Sequence, residues 1–338
     1  MNHTFTIYGW GLAGCTLAWE LWKQKVNFKV VYKNENHSSR VAAGLVNPIV
    51  FKRLTKSWQA DVLLPFAKEF YEDKEELIGR KFLSNKPISR VFASIEEQNS
   101  WSSIHGDERF EKYISPITEL KNQHIKTPFH VGKVESIGHL DVNLFLNESM
   151  RFLESQEIEF VQLENYNAND AEKAIYCEGA DVLENKYFGY LPMRPTHGDV
   201  LIIRSENLQL DEIVNKNLFI LPLGDNLFKV GATYNWKMKQ PIPTQEGKNE
   251  LIEKLEAFTT FEYEIVKHQA GLRPTVSDRR PLLGRHPKEE NKFIFNGLGT
   301  KGVMIAPYYA NQLCGHLLKG TAIDDEVNIE RHLKHFNA

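Results

Sequence analysis

Near the start of the chain, Gly9-Trp10-Gly11-Leu12-Ala13-Gly14 places glycines at the spacing G-x-G-x-x-G. That spacing has a physical use. The first glycine permits a tight turn out of a strand, the second lets a pyrophosphate approach the backbone, and the third lets a helix pack closely on the sheet. The helix N-terminus then offers unpaired N–H groups and a partial positive charge to the anion. A lone match is weak. Here Thr4 to Tyr8 reads as a strand entering the turn, and Ala13 to Lys25 reads as a helix leaving it, which is the context the motif needs. The alternative is a glycine turn with a structural role only. One feature departs from the pattern. The end of the second strand normally carries an acidic residue for the adenosine ribose. That position falls on Tyr32, followed by Lys33, Asn34 and Glu35. The Tyr32 hydroxyl or Asn34 could hydrogen-bond a ribose, and Glu35 could curl back to supply a carboxylate. Binding is then either weaker or arranged differently at the adenosine end.

The elements that would hold this turn are legible in outline. Phe28 to Tyr32 reads as a second strand, completing a βαβ opening, and Trp58 to about Gly79 reads as a helix. From about Lys86 to Lys133 the chain is mixed and turn-rich. An amphipathic helix is expected over Val142 to Leu153, with strands at Ile158–Leu163 and Ala174–Cys177. Residues Gly198 to Trp236 alternate apolar and polar and contain turn pairs such as Gly224-Asp225, the pattern of antiparallel strands. A helix is expected over Lys248 to Phe258, a strand over Phe293 to Phe295 and a helix over Gly302 to Leu318, with a polar, peripheral tail after Gly320. The expected fold class is α/β: a Rossmann-like nucleotide-binding domain assembled from discontinuous segments (1–85, 134–192 and 268–338). An inserted α+β domain on a mostly antiparallel sheet (86–133 and 193–267) completes it.

Bulk properties exclude several classes. The chain has 338 residues, 42% hydrophobic and 25% charged, enough apolar material for a real core. A net charge of −3 gives no global basic field for nucleic acid. Cys15, Cys177 and Cys314 are odd in number and far apart, which fits a reducing compartment rather than a disulfide framework or a zinc site. The glycine motif begins at residue 9, leaving no room for a signal peptide, and no apolar run approaches the roughly 18–20 residues a bilayer span needs. The expectation is a soluble, cytoplasmic protein. The 12 histidines include no HxxxH or HExxH spacing, so no metal is expected.

Several ordered blocks together resemble the D-amino-acid oxidase superfamily of FAD-dependent oxidoreductases, especially its glycine oxidase and sarcosine oxidase-like members. They are the glycine turn; Ser38-Ser39-Arg40-Val41-Ala42-Ala43-Gly44, similar to the family's small-residue flavin loop; and Gly138-His139-Leu140-Asp141 before the middle helix. Then come Tyr176-Cys177-Glu178-Gly179-Ala180; Val230-Gly231-Ala232-Thr233-Tyr234; Gly271-Leu272-Arg273-Pro274-Thr275 with Asp278 and Pro281-Leu282-Leu283-Gly284; and Asn296-Gly297-Leu298-Gly299-Thr300-Lys301-Gly302 before the last long helix. They span nearly the whole chain in the family's order.

The resemblance implies a resident FAD. The residues it points to for the cofactor are Gly9 to Gly14, Tyr32, Lys33, Arg40, Ala42, Ala43, Gly44, Leu45, Cys177, Glu178, Gly179, Arg273 and Leu298 to Val303. It also implies that Arg273 clamps the substrate carboxylate over the flavin, a role that suits a guanidinium's two parallel charge-assisted hydrogen bonds. A structural ion pair is the competing role. The Gly297–Gly302 turn, with Lys301 and the following helix, would aim donors at the flavin's pyrimidine edge, where negative charge builds on reduction. Two departures stand out. Leu298 occupies the position of the family's histidine, and the nearest cysteine, Cys314, lies well inside the helix, so FAD is expected to be non-covalent. Chemistry by hydride transfer asks little of side chains beyond orientation and electrostatics, and no general base is assigned. Tyr234 is a candidate for lining the substrate pocket, against the commoner role of an aromatic in a sheet.

Other features receive plainer readings. Lys52, Arg53 and Lys56, near Phe51 and Trp58, could bind RNA, as in FAD domains that modify tRNA wobble uridine, but a solvated face is the ordinary explanation for three cations. Glu72–Glu76 reads as an exposed helix face, His286 as a loop histidine, and Trp19 and Trp22 as core against the sheet. The expected function is FAD-dependent oxidation of a C–N bond in a small amine or amino acid. The alternatives are oxidation of a modified tRNA base, and a degenerate nucleotide-binding protein without turnover.

Overall fold

A computed structural model describes residues 5–33, 38–135, 138–166 and 173–336. The chain opens with strand β1 (Phe5–Tyr8), helix α1 (Leu12–Lys23) and strand β2 (Phe28–Tyr32), then a helical turn α2 (Ser38–Val41) and the long helix α3 (Ala60–Ile78). Next come β3 (Ile88–Val91), α4 (Ile95–His105), β4 (Ile114–Thr118), β5 (Val131–Val134), α5 (Val142–Ser155), β6 (Glu159–Gln162) and β7 (Ala174–Tyr176). The chain continues through β8 (Thr196–Arg204), β9 (Ile213–Asn215), β10 (Phe219–Gly224), β11 (Leu227–Gly231), α6 (Gln245–Glu256) and β12 (Glu264–Arg273). It closes with β13 (Leu282–Arg285), β14 (Lys292–Asn296) and α7 (Gly302–Lys319).

The strands form two principal sheets. One has six strands in the order β6-β2-β1-β7-β14-β13, all parallel except the last pair. The other has eight, in the order β12-β8-β11-β10-β9-β3-β5-β4, antiparallel except where β9 meets β3. This is the expected class: a Rossmann-like sheet drawn from distant segments, joined to a mostly antiparallel one. The inner parallel strands β1, β2, β7 and β14 are largely buried, since helices α1, α3, α5 and α7 cover one side and the cluster of Val182, Phe188, Leu191 and Met193 covers the other.

Four readings need correction. Strand β12 was not expected as a ten-residue strand; it is the edge of the larger sheet, and its alternation is masked by polar residues such as Glu264 and Lys267. Trp19 is core, but against α5 rather than the sheet: its ring stacks on Phe152 at 4.9 Å and its Nε1 donates to Ser149 Oγ at 2.9 Å. The acidic run 72–76 is not a uniformly exposed face, because Lys74 and Glu75 are buried and Glu75 Oε1 accepts from the amides of Phe82 and Leu83 at 2.7 Å each. The tail is not peripheral. Val327 and Ile329 are buried, and Leu283 N donates to Val327 O at 2.9 Å. His286 lies in the loop after β13, as expected, but it is buried among Tyr187, Phe188, Tyr190 and Phe336, and its Nδ1 accepts from the amides of Lys288 and Glu289. No helix among the described residues is long and apolar enough to cross a membrane.

Candidate functional site

The glycine turn has the geometry its spacing demands. Gly9 sits at φ +108, and a Cβ there would come within 2.5 Å of the Cys177 carbonyl oxygen; a Cβ on Gly14 would overlap the carbonyl of Gly9. Strand β1 is flanked on both sides in parallel, Tyr8 pairing with Val31 and with Tyr176, so the turn emerges between the ends of β2 and β7. At the N-cap of α1, Gly11 brings no capping side chain, and the first turn holds no acidic residue. Among the described residues, only the Leu12 amide gains a side-chain partner, Ser39 Oγ at 3.2 Å. A helix start left open in this way favours an anion. Trp10 offers backbone alone, since its ring is buried edge-on against Phe160 and its Nε1 donates to Leu146 O.

Four contacts bring distant segments to this turn. A Cβ on Gly302, at the start of α7, would lie 3.2 Å from Leu12 Cδ1. Gly299 N donates to Pro274 O at 3.1 Å, tying the Gly297–Gly302 turn to the end of β12. A Cβ on Gly271 would lie 3.3 Å from Ser38 Cα, so β12 runs directly against α2. From β11, Lys229 Nζ donates to the carbonyls of Val41 and Ala42 at 3.3 and 3.0 Å. The starts of α1 and α7, the 38–45 loop and the Arg273 end of β12 therefore border one region. Leu45 and His139 pair across the edge of that loop, and a Cβ on Gly44, at φ +67, would overlap Leu140 O.

Arg273 stands at the end of β12, beside the Gly297–Gly302 turn. Nη1 donates to the carbonyls of His197 and Thr233, each at 3.2 Å, and among the described residues no carboxylate pairs with it. A Cβ on Gly198 would overlap the guanidinium, so glycine at this point of β8 is what lets the group lie across the strand. The Tyr234 ring covers it at 4.3 Å while remaining 57% exposed. Burial lowers the guanidinium's pKa, though such a group stays charged in proteins. Behind it lies Asp199, 1% exposed, which accepts from Thr244 N (2.9 Å), Thr244 Oγ1 (3.0 Å), Thr233 Oγ1 (3.1 Å) and His268 Nε2 (2.9 Å). Asp199 thus knots β8, β12, the start of α6 and the 232–235 segment into the frame that holds both Arg273 acceptors.

Two further cations border the region. Lys301 caps α7 and donates from Nζ to Asn47 O at 2.6 Å; burial lowers its pKa to about 8. Burial likewise lowers Lys229 to about 8, with Asp141 opposing the shift. Neither forms a salt bridge among the described residues. His139, near Lys229, is driven to about 4 by burial and so is neutral at pH 7.

Not every expected residue turns its side chain to this region. The Tyr32 ring packs edge-on to Phe160, Lys33 pairs with Asp181 at 2.6 Å, and Arg40 bonds Asn147 and Asn143 on α5. Cys177 is buried, with its thiol pKa pushed up by burial, and contributes backbone at Gly9. Glu178 accepts from Asn185 Nδ2, and burial raises its carboxyl to about 7. Asn34 and Glu35 lie outside the described residues. Lys56 is tied to Asp61, which also binds Lys112 and Tyr113, so the basic run is partly neutralised. Sequence reasoning missed Gly198, Lys229, Asp199 and Asn47. Only Gly198 carried a signal, being the glycine that β8 sets against Gly271.

The family model described as FAD dependent oxidoreductase matches residues 5–314. Among curated proteins, the glycine oxidase of Bacillus subtilis is 24% identical over 137 residues, 40% of this chain and 36% of that protein. A tRNA 5-methylaminomethyl-2-thiouridine biosynthesis bifunctional protein of Marinobacter nauticus is 26% identical over 141 residues, 37% of this chain and 22% of that protein. The matches thus span about a fifth to a third of the curated relatives' length. In fold, the chain is similar to glycine oxidase from Bacillus cereus, with a TM-score of 0.78 at 16% identity over 95% of this chain and 96% of the other. It is equally similar to iminodiacetate oxidase from Chelativorans sp., with a TM-score of 0.78 at 18% identity over 97% and 98%. The residues fit an FAD. The side-chain-free helix start at Gly11 suits its linked phosphates, and the enclosed cation at Lys301 suits its electron-accepting ring.

Proposed function

Because the chain belongs to the FAD dependent oxidoreductase family, we propose that it oxidises a C–N bond in a small amino acid or amine bearing a carboxylate. One observation carries the reading. Arg273 is a largely enclosed guanidinium held by two carbonyls rather than by an acid, at the point where β12 meets the Gly297–Gly302 turn. Such a group is a stored half of an ion pair, and a substrate carboxylate completes it with two parallel hydrogen bonds.

FAD, when bound, supplies the two-electron acceptor. The protein's part is to bind and orient. Holding Nη1 on the His197 and Thr233 carbonyls fixes the plane of the guanidinium, and Tyr234 covers its face. A carboxylate docked there sets the adjacent Cα–H at a fixed place, which is the entropic share of catalysis. That carbon gives up hydride, the amine nitrogen gives up a proton to solvent, and the resulting imine takes water to yield a carbonyl compound and an amine. Lys301 and the start of α7 would hold the electron-accepting end of a bound FAD, and their positive charge would stabilise its reduced form.

The test is a substrate panel under anaerobic conditions, read by bleaching of the flavin absorbance. Glycine, N-methylated and iminodiacetate-like amino acids are expected to bleach it, and the matching amines without a carboxylate to do so only at far higher concentration. Reduction by undermodified tRNA and by none of the amino acids would replace this reading.

A further inference from the structure

The adenosine end of the groove lacks its usual acid, and the structure offers another. We propose that the adenosine ribose of the cofactor is received by Asp181, a carboxylate delivered from beyond β7 and pinned at the end of β2 by Lys33. This rests on the FAD reading above.

The register sets the scene. Tyr8 lies between Val31 and Tyr176, Gly9 N donates to Val31 O at 2.8 Å, and Cys177 N donates to Tyr8 O at 2.7 Å. The ends of β2 and β7 therefore stand on either side of the glycine turn, about 10 Å apart at two strand spacings. Lys33 follows β2 and Asp181 lies in the helical turn Gly179–Glu184 after β7, yet Lys33 Nζ and Asp181 Oδ2 meet at 2.6 Å. The pair bridges the end of β2 to the far side of the turn, beside the position where the ribose acid would stand.

Two nearby residues, Tyr32 and Glu178, already have packing or hydrogen-bond partners, while Asn34 and Glu35 lie outside the described residues. The Tyr32 ring packs on Phe160 at 6.3 Å. Glu178 is bound by Asn185 Nδ2 at 2.8 Å and sits in surroundings that favour its neutral form. Asp181 keeps 56% of its side chain open to solvent, so its carboxylate can take ribose hydroxyls while Lys33 holds it. A carboxylate is an acceptor only, the right partner for two hydroxyl donors. The ammonium of Lys33 also offsets the repulsion that an acid so near a pyrophosphate would create. Charge at the end of β2 is thus inverted and the acid is supplied from across the turn.

The experiment titrates apoprotein, prepared from the purified flavoprotein, with FAD and with its 2′-deoxyadenosine analogue, read by flavin fluorescence, with melting temperature as a folding control. Wild type is expected to prefer FAD by on the order of 10-fold, the worth of a charge-assisted hydrogen bond. Asp181→Ala should lose that preference and Lys33→Met should reduce it. Tyr32→Glu in the Asp181→Ala background should restore it by returning the acid to β2. Persistence of the full preference in Asp181→Ala, or its loss in Glu35→Gln instead, overturns the proposal while leaving the FAD reading intact. A wild-type chain that takes up no flavin overturns both.

Discussion

The two ends of the site are built on opposite principles. At the proposed phosphate end, function would come from what is missing: Gly9, Gly11 and Gly14 remove side chains so that backbone can be approached and helix can meet sheet. At the proposed substrate end it would come from buried cations, Arg273, Lys301 and Lys229, whose hydrogen bonds go to carbonyls rather than to acids. The first kind of site fails by steric collision, all at once. The second fails by degrees, through charge, orientation and pH.

That contrast can be broken at either end. The largest effect is expected at Gly14. Valine there would drive its Cβ into the Gly9 carbonyl, and the purified protein should be colourless and lower in melting temperature. A yellow, stable Gly14→Val protein would show the turn to be less constrained than the geometry implies.

Arg273→Leu comes next. It should keep its flavin and raise KM for carboxylate-bearing substrates by about 100-fold, the scale of one lost buried charge pair, while Arg273→Lys recovers part of the loss. Loss of flavin instead would move Arg273 to the other end of the comparison.

Asp199→Asn tests the frame behind the arginine. With its charge gone and one oxygen replaced by an NH2 donor, the four-donor knot is disturbed, and KM should rise by roughly 10-fold, about the worth of one hydrogen bond to a charged group. A melting temperature that falls with KM unchanged would confine Asp199 to a folding role.

The smallest effect is a slope in pH. Lys301 and Lys229 have folded pKa values of about 8, lowered by burial from the ordinary lysine value. Between pH 8 and about 10.4 the unfolded chain holds more protons than the folded one, so stability of the apoprotein should rise with pH across that window. Glu178 acts in the opposite sense. Raised to about 7, it stays protonated in the fold above the pH where the unfolded chain releases its proton, so its contribution falls between about pH 4.3 and 7. Denaturant titrations of Lys301→Met and Glu178→Gln should each flatten one limb.

The two ends also differed in how far the sequence disclosed them. The phosphate end was readable because its device is local: strand, three glycines and helix fall within residues 5–23. The substrate end is assembled across the chain. Arg273 was reachable through the Gly271–Thr275 block, but Lys229 sits in a strand whose alternation says nothing of the carbonyls of Val41 and Ala42 some 187 residues away. Asp199 reads as an ordinary polar residue until β8, β12 and α6 close around it. Edge strand β12 escaped notice because its outer positions are charged, and the tail because Val327 and Ile329 are single apolar residues without periodicity. The position of the ribose acid falls on Tyr32, and nothing in the sequence shows that Lys33, one residue on, pairs with Asp181 across the turn.

A crystal structure of the protein grown with FAD and a small carboxylate inhibitor tests the central claim most directly. The account predicts linked phosphates over Gly9–Gly14, the ring reaching the Gly297–Gly302 turn, and the carboxylate forked on Arg273 beneath Tyr234. A carboxylate bound away from Arg273, or a flavin ring that does not reach the end of β12, would contradict it.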